Sequence, residues 1–280
     1  MTCTLPGSRS LILRPWAQVM AIINVTPDSF SDGGAHKDVA TALVAARRAE
    51  AAGAVCLDIG GESTRPGAEA VDAQDELARV LPVVQALAGG TAAVISVDTS
   101  KGAVARAVLA AGAGMINDVS AGSDPSLLEA VAERGVPLVL MHMQGTPRTM
   151  QQAPRYDDVV DEVIALLEER MRRAQAAGVA ERALLVDPGI GFGKTVAHNL
   201  ALLRALPRIG AATGRPVVVG LSRKRFLSAV MGRDLPASER DVWSHHFHAL
   251  IAGTCALIRT HDVPGAVDAL RAAVAVQEVE

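Results

Sequence analysis

Short apolar runs that each end in a polar residue recur along this chain, and they constrain its fold more than any other feature. The clearest lies within LVDPGIGFGK at 185–194, where the run ends in Asp187 before a proline and three glycines. Proline stops a strand, and glycine allows the tight turn that follows. Six other runs end in the same way, at Asn24, Asp58, Asp98, Asn117, Ser222 and His261. A buried carboxylate costs free energy unless something binds it, so we expect these strand ends to converge on one site.

Helical segments separate these runs, and strand and helix alternate eight times over the 280 residues. Continuously apolar strands are typical of a parallel sheet that is covered on both faces. We therefore predict an α/β fold, a (β/α)₈ TIM barrel of one domain over 1–280 with its core at about 17–276 and a short hairpin at the amino terminus. An open doubly wound sheet is the alternative, but the glycine-rich GxGxxG that should follow its first strand is missing.

The predicted strands are short, and the predicted helices lie between them. The strands cover 10–13, 19–23, 54–57, 92–97, 115–116, 136–141, 183–186, 216–220 and 256–259. The helices cover 39–52, 71–87, 101–111, 125–134, 157–177, 196–206, 224–231, 240–252 and 264–276. Pro82 predicts a kink or break in the second helix, because proline lacks an N–H group. Ser100 is a suitable amino-terminal cap for the third helix.

Composition excludes several classes of function. The chain has 27 Lys and Arg residues against 30 Asp and Glu, a net charge of −3, so nothing indicates a surface for nucleic acid or membrane. Aromatic residues make up 2%, too few for platforms that stack bases. Cys3, Cys56 and Cys255 form no CxxC pair, so we expect reduced core thiols in a cytoplasmic protein. No apolar run reaches the ~20 residues of a membrane span, and residues 1–18 lack the apolar stretch of a signal peptide.

The acidic and amide strand ends form the first candidate site. Asp58, Asp98 and Asp187, with Asn24 and Asn117, could line one pocket. Carboxylates and amides suit a heterocycle that carries both hydrogen-bond donors and acceptors. Their oxygen atoms also suit Mg²⁺. The alternative is that each residue caps the helix that follows it.

Basic side chains form the second candidate site, at the last two strands. Ser222-Arg223-Lys224-Arg225 follows the seventh barrel strand, and Arg259 and His261 end the eighth. Loops at these positions of a barrel often bind phosphate. Arginine offers paired donors to such a group, and a helix start adds backbone N–H groups. The alternative is a set of solvated side chains.

Two polar loops form the third candidate site. The loops 24–34 and 60–67 are rich in glycine and hydroxyl residues. With Phe30 and Arg65 they could close over a second substrate. Plain surface loops are the alternative.

Seven motifs taken together resemble the dihydropteroate synthase family, from Leu11 to about Val274 and in the family's order. They are NVTPDSFSDGG at 24–34, DIGGESTRPGA at 58–68, VDTS at 97–100, INDVS at 116–120, DPGIGFGK at 187–194, GLSRKRFL at 220–227 and RTHDV at 259–263. One motif alone is moderately specific, whereas their joint occurrence is highly specific.

The resemblance implies a (β/α)₈ barrel, usually a homodimer, that acts as a transferase in folate biosynthesis. The family joins 7,8-dihydropterin-6-ylmethyl diphosphate to 4-aminobenzoate in the presence of Mg²⁺, and it forms 7,8-dihydropteroate and diphosphate. The implied pterin site consists of Asp98, Asn117, Met141, Asp187, Phe192, Gly220 and Lys224. The implied diphosphate site consists of Asn24, Arg259 and His261, with Asn24 as the metal ligand. The implied aminobenzoate site and its lid consist of Phe30, Asp32, Thr64, Arg65, Pro66 and Ser222.

The same resemblance implies catalytic roles for Asp98, Asn24, Lys224, Arg259 and His261. Arg259, His261 and Mg²⁺ would stabilise the charge on the departing diphosphate. Anionic Asp98 would offset the cation left on the pterin methylene, which favours an SN1-like step. Sulfonamides would compete as mimics of 4-aminobenzoate. Two alternatives stay open, namely a pterin barrel that transfers methyl groups from methyltetrahydrofolate and a non-catalytic pterin-binding paralogue.

The segment before the eighth strand departs from the family pattern. The family usually has small apolar residues there, whereas this chain has Asp241-Val-Trp-Ser-His-His-Phe-His248. The region commonly packs at the family's dimer interface, so the departure concerns how two copies would meet. His245 and His248 are three residues apart on a helix and could share a metal ion, but no third ligand has an obvious spacing. A polar or interfacial helix face is the favoured interpretation.

Overall fold

An antiparallel pair of strands and eight parallel strands make up the β-structure. The structure is a computed structural model that describes residues 2–4, 10–25, 35–64 and 67–277. The strands are β1 (Thr2–Thr4), β2 (Ser10–Ile12), β3 (Gln18–Asn24), β4 (Cys56–Gly60), β5 (Val94–Asp98), β6 (Met115–Asp118), β7 (Leu138–Met141), β8 (Leu184–Asp187), β9 (Val218–Gly220) and β10 (Leu257–Thr260). The parallel strands follow the order β8-β7-β6-β5-β4-β3-β10-β9, and a bridge joins Val186 of β8 to Val217. This nearly closed ring confirms the (β/α)₈ barrel.

Helices connect the strands and cover the outside of the barrel. They are α1 (Ala35–Ala51), α2 (Ala73–Ala88), α3 (Gly102–Ala110), α4 (Pro125–Arg134), α5 (Val159–Ala176), α6 (Val196–Arg204), α7 (Leu206–Thr213), α8 (Arg225–Val230), α9 (Asp241–Ile251) and α10 (Val263–Gln277). Helix α2 illustrates the packing, because its buried residues Val80, Val83, Val84 and Leu87 follow the spacing of one helix face.

The barrel interior has an apolar floor and a polar layer above it. Successive side chains of a strand point to opposite faces, so residues two apart share the interior. Each parallel strand contributes one buried residue to the floor, namely Met20, Cys56, Val94, Met115, Val139, Leu185, Val218 and Leu257. Leu11 and Leu13 pack in the same cluster, and β1 pairs with β2, which confirms the amino-terminal hairpin. Two positions beyond the floor, the strands carry Asp58, Ser96, Asn117 and Arg259.

Two predictions about helix ends and breaks are wrong. The predicted break at Pro82 does not occur, because helix α2 runs through that residue from Ala73 to Ala88; a kink there stays a prediction. Ser100 does not cap α3; the capping position is Lys101, whose side chain makes no capping bond. Asp124 supplies the missing acceptor instead, because its Oδ2 accepts from the backbone nitrogen of Gly102 at 2.7 Å.

Two predicted boundaries also change. The predicted helix 196–206 ends as α6 at Arg204, and after Ala205 a second helix that was not predicted, α7, begins with proline in its first turn. Proline is well tolerated in a first turn, so Pro207 marks a start rather than an interruption. Three predicted strands end too early, by one residue at β5 and β8 and by three at β4, so Asp58, Asp98 and Asp187 lie within the observed strands. These carboxylates are therefore held by the sheet itself.

Two of the three cysteines have described side chains, and both are buried thiols. Cys56 and Cys255 are free and buried, and burial is the main cause that raises the pKa of Cys255 to about 12. The side chain of Cys3 lies outside the described part of the chain. Among the helices described, none has both the length and the hydrophobicity to cross a membrane.

The hairpin gives a first prediction about stability. Leu11 is 3% exposed in the floor cluster, whereas its neighbour Ile12 is 60% exposed. We expect Leu11→Ala to lower the free energy of unfolding by roughly 2–5 kcal/mol, and Ile12→Ala to change it by less than about 0.5 kcal/mol. Urea denaturation of both variants measures the difference. Equal losses would mean that the hairpin does not close the barrel floor.

Candidate active site

Arg259 joins three strands at the carboxyl end of the barrel. Its Nε donates to Asp58 Oδ2 on β4 at 2.6 Å, and its Nη2 donates to Asp98 Oδ2 on β5 at 2.7 Å. Asp58 is fully buried and Asp98 is almost so. Charge-assisted bonds of this length are strong, and they supply the partner that each buried carboxylate requires.

Asp58 is the centre of a wider hydrogen-bond network. Ser96 Oγ donates to Asp58 Oδ1 at 2.6 Å, and Asn117 Nδ2 donates to Asp58 Oδ2 at 3.0 Å. Asp58 therefore accepts from three side chains and holds Arg259 and Asn117 in place. The sequence prediction placed Asp58 in the pocket but missed Ser96, which stands two residues before Asp98 and so faces the same side of β5.

The acidity of Asp98 is strongly perturbed. Burial raises its pKa to about 7, and the carboxylate of Asp58 adds to this rise, while the Arg259 guanidinium lowers it. Near neutral pH the group is thus divided between its neutral and anionic forms. A carboxyl group with this pKa can change its charge state when a ligand binds.

Asp187 begins the glycine-rich turn after β8. Its Oδ1 accepts from the backbone nitrogen of Gly189 at 2.7 Å. Gly189 has φ +68°, and a Cβ there would meet the carbonyl oxygen of His142 at 1.8 Å, so only glycine fits. Burial raises the pKa of Asp187, although the Lys224 ammonium and the Gly189 N–H oppose the rise. A Cβ on Gly220 would lie 4.0 Å from Asp187 Oδ2 and 3.8 Å from Arg259 Cβ, which shows that Gly220 faces both side chains.

Lys224 reaches into the same turn from the opposite side. Its Nζ donates to the carbonyl oxygen of Ile190 and lies 4.4 Å from the centre of the Phe192 ring. Burial lowers the pKa of Lys224 to about 7, and Asp187 opposes this while Arg259 adds to it. The structure thus brings Asp187, Phe192, Gly220 and Lys224 together, as the resemblance implied. Met141 is buried at the end of β7, where it pairs with Asp187 in the sheet register.

Lys194 and His142 form a second basic pair that the sequence prediction missed. Lys194 Nζ lies 2.9 Å from His142 Nδ1 and donates to the carbonyl oxygen of Phe192 at 2.9 Å. Both side chains are buried. Burial lowers the pKa of Lys194 to about 7, and burial together with Lys194 lowers the pKa of His142 to about 3. Lys194 is the last residue of the DPGIGFGK motif, and this was the sequence feature that could have identified it. Its partner His142 lies 52 residues away, so spacing could not predict the contact.

Ser222 and His261 meet where β9 and β10 end. Ser222 Oγ lies 3.0 Å from His261 Nδ1 and accepts from the backbone nitrogen of His261 at 3.2 Å. Thr260 Oγ1 donates to the same oxygen at 3.2 Å. These contacts place two predicted residues side by side and fix the direction of the Ser222 hydroxyl.

The remaining predicted residues lie at the edge of this site or outside the described chain. Asn24 ends β3 opposite Gly60, and a Cβ on Gly60 would lie 3.9 Å from Asn24 Oδ1 and 3.8 Å from Asp98 Cβ. Thr64 is half-buried at the edge of the described residues. Phe30, Asp32, Arg65 and Pro66 lie outside the described residues.

Two candidate metal sites came from the sequence, one at His245 and His248 and one at Asn24. The rings of His245 and His248 lie 6.0 Å apart. Within the described ranges, no group of three or more His, Cys, Asp or Glu side chains is arranged to hold a metal ion. The amide oxygen of Asn24 is a ligand type that Mg²⁺ accepts when water or substrate supplies the other ligands.

A buried ion-pair network anchors the loop after β4. Lys101 Nζ pairs with Glu62 on that loop and with Glu76 on α2. Glu62 Oε1 also accepts from the backbone nitrogen of Val71 at 3.0 Å, which ties the two ends of the loop together. Glu76 is fully buried. The sequence prediction missed this network because its three charged residues come from separate elements.

Comparison with known proteins agrees with the geometry. Residues 20–261 match the family model described as pterin binding enzyme. The dihydropteroate synthase of Escherichia coli strain K12 is 47% identical over 254 residues, which are 90% of this chain and 89% of that protein. The dihydropteroate synthase of Xanthomonas albilineans, solved with 4-aminobenzoic acid, has a TM-score of 0.92 and 50% identity, and 100% of each chain is covered. The Yersinia pestis dihydropteroate synthase, solved with a sulfonamide drug, has a TM-score of 0.91 and 43% identity, again with 100% of each chain covered.

The Lys101 network gives a second prediction. We expect Lys101→Met to lower the free energy of unfolding by roughly 3–5 kcal/mol, because it leaves a buried carboxylate without a partner. Arg106→Met is the matched control on α3, since its pair with Glu133 is exposed on both sides and contributes about 0–1 kcal/mol. Denaturant titration measures both losses.

A further variant separates charge from packing in this network. Adding Glu76→Gln to Lys101→Met removes the unpaired charge, so part of the lost stability should return. No recovery would show that packing of the Lys101 stem, rather than its charge, stabilises the loop.

Proposed function

This chain belongs to the dihydropteroate synthase family of pterin-binding enzymes, and we propose that the carboxyl end of its barrel holds the family's two substrates. The reaction is a transfer that joins 7,8-dihydropterin-6-ylmethyl diphosphate to 4-aminobenzoate and forms 7,8-dihydropteroate and diphosphate. Family membership favours this reaction over methyl transfer, the first alternative. The observation that carries the proposed site is the convergence of Asp98, Asn117, Asp187, Lys224 and Arg259 from five elements.

The pterin site is proposed to consist of Asp98, Asn117, Asp187 and Lys224, with Met141, Phe192 and Gly220 beside them. Asn117 commits its amide nitrogen to Asp58, so its amide oxygen is the atom left to accept from the ring. Asp187 Oδ2 faces Gly220, where the missing side chain leaves space for a flat ring. Acceptors on Asp187 and Asn117 and a donor on Lys224 match the donor and acceptor edge of an aminopyrimidine.

The diphosphate is proposed to bind Asn24, Arg259 and His261. Arg259 uses Nε and Nη2 for its two ion pairs, which leaves Nη1 for the substrate. The ion pairs fix the guanidinium before the substrate arrives, and a fixed donor stabilises developing charge without reorganising. His261 is held in turn by Ser222.

Mg²⁺ is proposed as the cofactor, with the Asn24 amide oxygen as its protein ligand. Mg²⁺ keeps several waters and commonly binds one or two protein groups together with substrate phosphates, which suits a site to which the protein contributes the Asn24 amide oxygen. When bound, Mg²⁺ would neutralise negative charge on the leaving diphosphate. Arg259 Nη1 supports the same charge from the protein side.

The aminobenzoate is proposed to lie near Thr64 and Ser222, with Arg65, Pro66, Phe30 and Asp32 completing its site and lid. Glu62 and Lys101 hold the base of the loop that carries Thr64. The Ser222 hydroxyl is oriented by its contacts with β10. Sulfonamides would compete at this site as mimics of the aminobenzoate.

An SN1-like step fits these positions. The C–O bond to the diphosphate breaks first, and the positive charge on the pterin methylene is shared with the ring. Anionic Asp98 stabilises that charge through its electrostatic field. The aniline nitrogen of 4-aminobenzoate then forms the C–N bond and loses a proton.

A cytoplasmic homodimer is proposed for the assembled protein. Val242 and Leu250 on α9 and Val276 on α10 are large apolar residues that this single chain leaves exposed. Helices α9 and α10 pack against each other, so all three residues lie on one packed helix pair. The two buried free thiols suit a reducing compartment.

Product formation gives the third prediction. Protein supplied with dihydropterin diphosphate and labelled 4-aminobenzoate should form dihydropteroate with Mg²⁺ and lose nearly all turnover with a chelator. Labelled product separated by chromatography is the measurement. Equal rates in both conditions would exclude the proposed cofactor. A folded protein that binds pterin but forms no product would instead support the non-catalytic paralogue.

The pKa values give the fourth prediction. Asp98, with its pKa raised to about 7, becomes anionic as pH rises, and Lys224, with its pKa lowered to about 7, loses its charge over the same range. We therefore expect kcat/KM, which reports groups of the free enzyme, to be bell-shaped with its maximum near neutral pH. Asp98→Asn should remove the acidic limb and lower kcat by about 10²–10³. Lys224→Arg should move the alkaline limb to higher pH. An acidic limb that persists in Asp98→Asn would belong to another group and contradict the assignment.

A further inference from the structure

Arg223 adopts a backbone conformation that is unfavourable for its residue type. Its φ is +59°, in the left-handed region. A residue with a Cβ rarely adopts this conformation unless its surroundings hold it there. Arg223 lies between Ser222 and Lys224, which belong to the proposed aminobenzoate and pterin sites. The contacts that hold Arg223 therefore bear on both sites.

The start of α9 binds both the backbone and the guanidinium of Arg223. Nε and Nη2 of its guanidinium donate to Oδ1 and Oδ2 of Asp241 at 2.8 and 2.7 Å. Its backbone nitrogen donates to Ser244 Oγ at 3.1 Å, and its carbonyl oxygen accepts from Arg240 Nη1. Ser244 is fully buried and donates in turn to the carbonyl oxygen of Arg240 at 2.8 Å. One helix start, residues 240–244, thus forms a clamp around one residue.

The side chains on either side of Arg223 take part in different contacts. Ser222 contacts His261 and Thr260 on β10. Lys224 contacts Ile190 and Phe192 in the turn after β8. Ser222 and Lys224, one residue apart on either side of Arg223, thus reach the two neighbours of β9, namely β10 and the turn after β8. The left-handed conformation of Arg223 sets the backbone direction between them.

We propose that Asp241, supported by Ser244, is a positioning residue that holds Arg223 in its left-handed conformation and so sets the relative placement of Ser222 and Lys224. The proposal rests on the proposed function, because it assigns substrate contacts to the two neighbours and none to Asp241. The bidentate geometry explains why position 241 carries an aspartate. A planar guanidinium needs both carboxylate oxygens, and an amide at position 241 would offer one acceptor in their place.

Steady-state kinetics of Asp241→Asn and Asp241→Ala test the proposal. We expect KM for both substrates to rise by about tenfold, the factor that corresponds to losing a hydrogen bond to a charged group. The melting temperature should change little. Glu239→Ala is the matched control, because Glu239 is an exposed carboxylate on the 3₁₀ turn just before α9, and its KM values should equal those of the unmodified protein.

A rescue variant distinguishes positioning from a general structural role. Glycine adopts positive φ without a Cβ clash, so Arg223→Gly should restore most of the KM loss when it is added to Asp241→Ala. If Arg223→Gly alone lowers turnover as much as the pair does, the guanidinium itself contacts substrate and the proposal is overturned. If the pair melts far below the unmodified protein and KM does not recover, the clamp has only a structural role, which also overturns it.

Hydrogen exchange gives a readout that does not depend on turnover. The amide of Arg223 should exchange faster in Asp241→Ala than in Glu239→Ala, because loss of the ion pair loosens the bond to Ser244. Unchanged exchange together with unchanged KM would refute the clamp. An unmodified protein that forms no dihydropteroate would refute the proposed function instead, and faster Arg223 exchange would still support the clamp as a structural feature.

Discussion

The pairing of Arg259 with Asp58 and Asp98 is the interaction on which the barrel mouth depends. Arg259 lies on β10, and its two partners lie on β4 and β5, with β3 between them in the sheet. Without the guanidinium, two buried carboxylates would face each other in a medium of low dielectric, and at least one would have to take up a proton. The ion pairs therefore join the last strand to the early ones and keep the site charged at the same time.

An apolar floor beneath these charged groups supports the arrangement. On four strands the floor residue lies two positions before Asp58, Ser96, Asn117 or Arg259, so strands that form a dry core also carry polar side chains. Close packing below restricts how far the polar groups can shift. A site built on strands in this way is held more firmly than one built on loops alone, which suits Asp98 and Asp187, because each lies at the last position of its strand.

The sequence was sufficient to predict the barrel and the convergence of its polar strand ends, because parallel strands end at the same face whatever their order. It was insufficient for contacts between elements that share no spacing. Asp58 and Arg259 are 201 residues apart, and the clamp on Arg223 joins a loop to a helix start. Pro82 does not break α2, since the remaining backbone bonds of the helix and its buried face outweigh the missing N–H group. The family and its reaction came from the joint motifs, not from periodicity.

The balance between buried carboxylates and cations at the barrel mouth connects the fold to the proposed reaction. Asp58, Asp98 and Asp187 stand against Arg259, Lys224 and Lys194, three carboxylates against three cations. Burial shifts the pKa values of Asp98, Lys194 and Lys224 toward 7 from opposite directions, since it disfavours either charge. The charge state of each group depends on the others. A ligand that brings its own donors and charge therefore changes the pKa of every group in the set. In the proposed reaction, the cation that develops beside Asp98 would favour its anionic form, because it offsets the desolvation that raises the pKa of this group in the free protein.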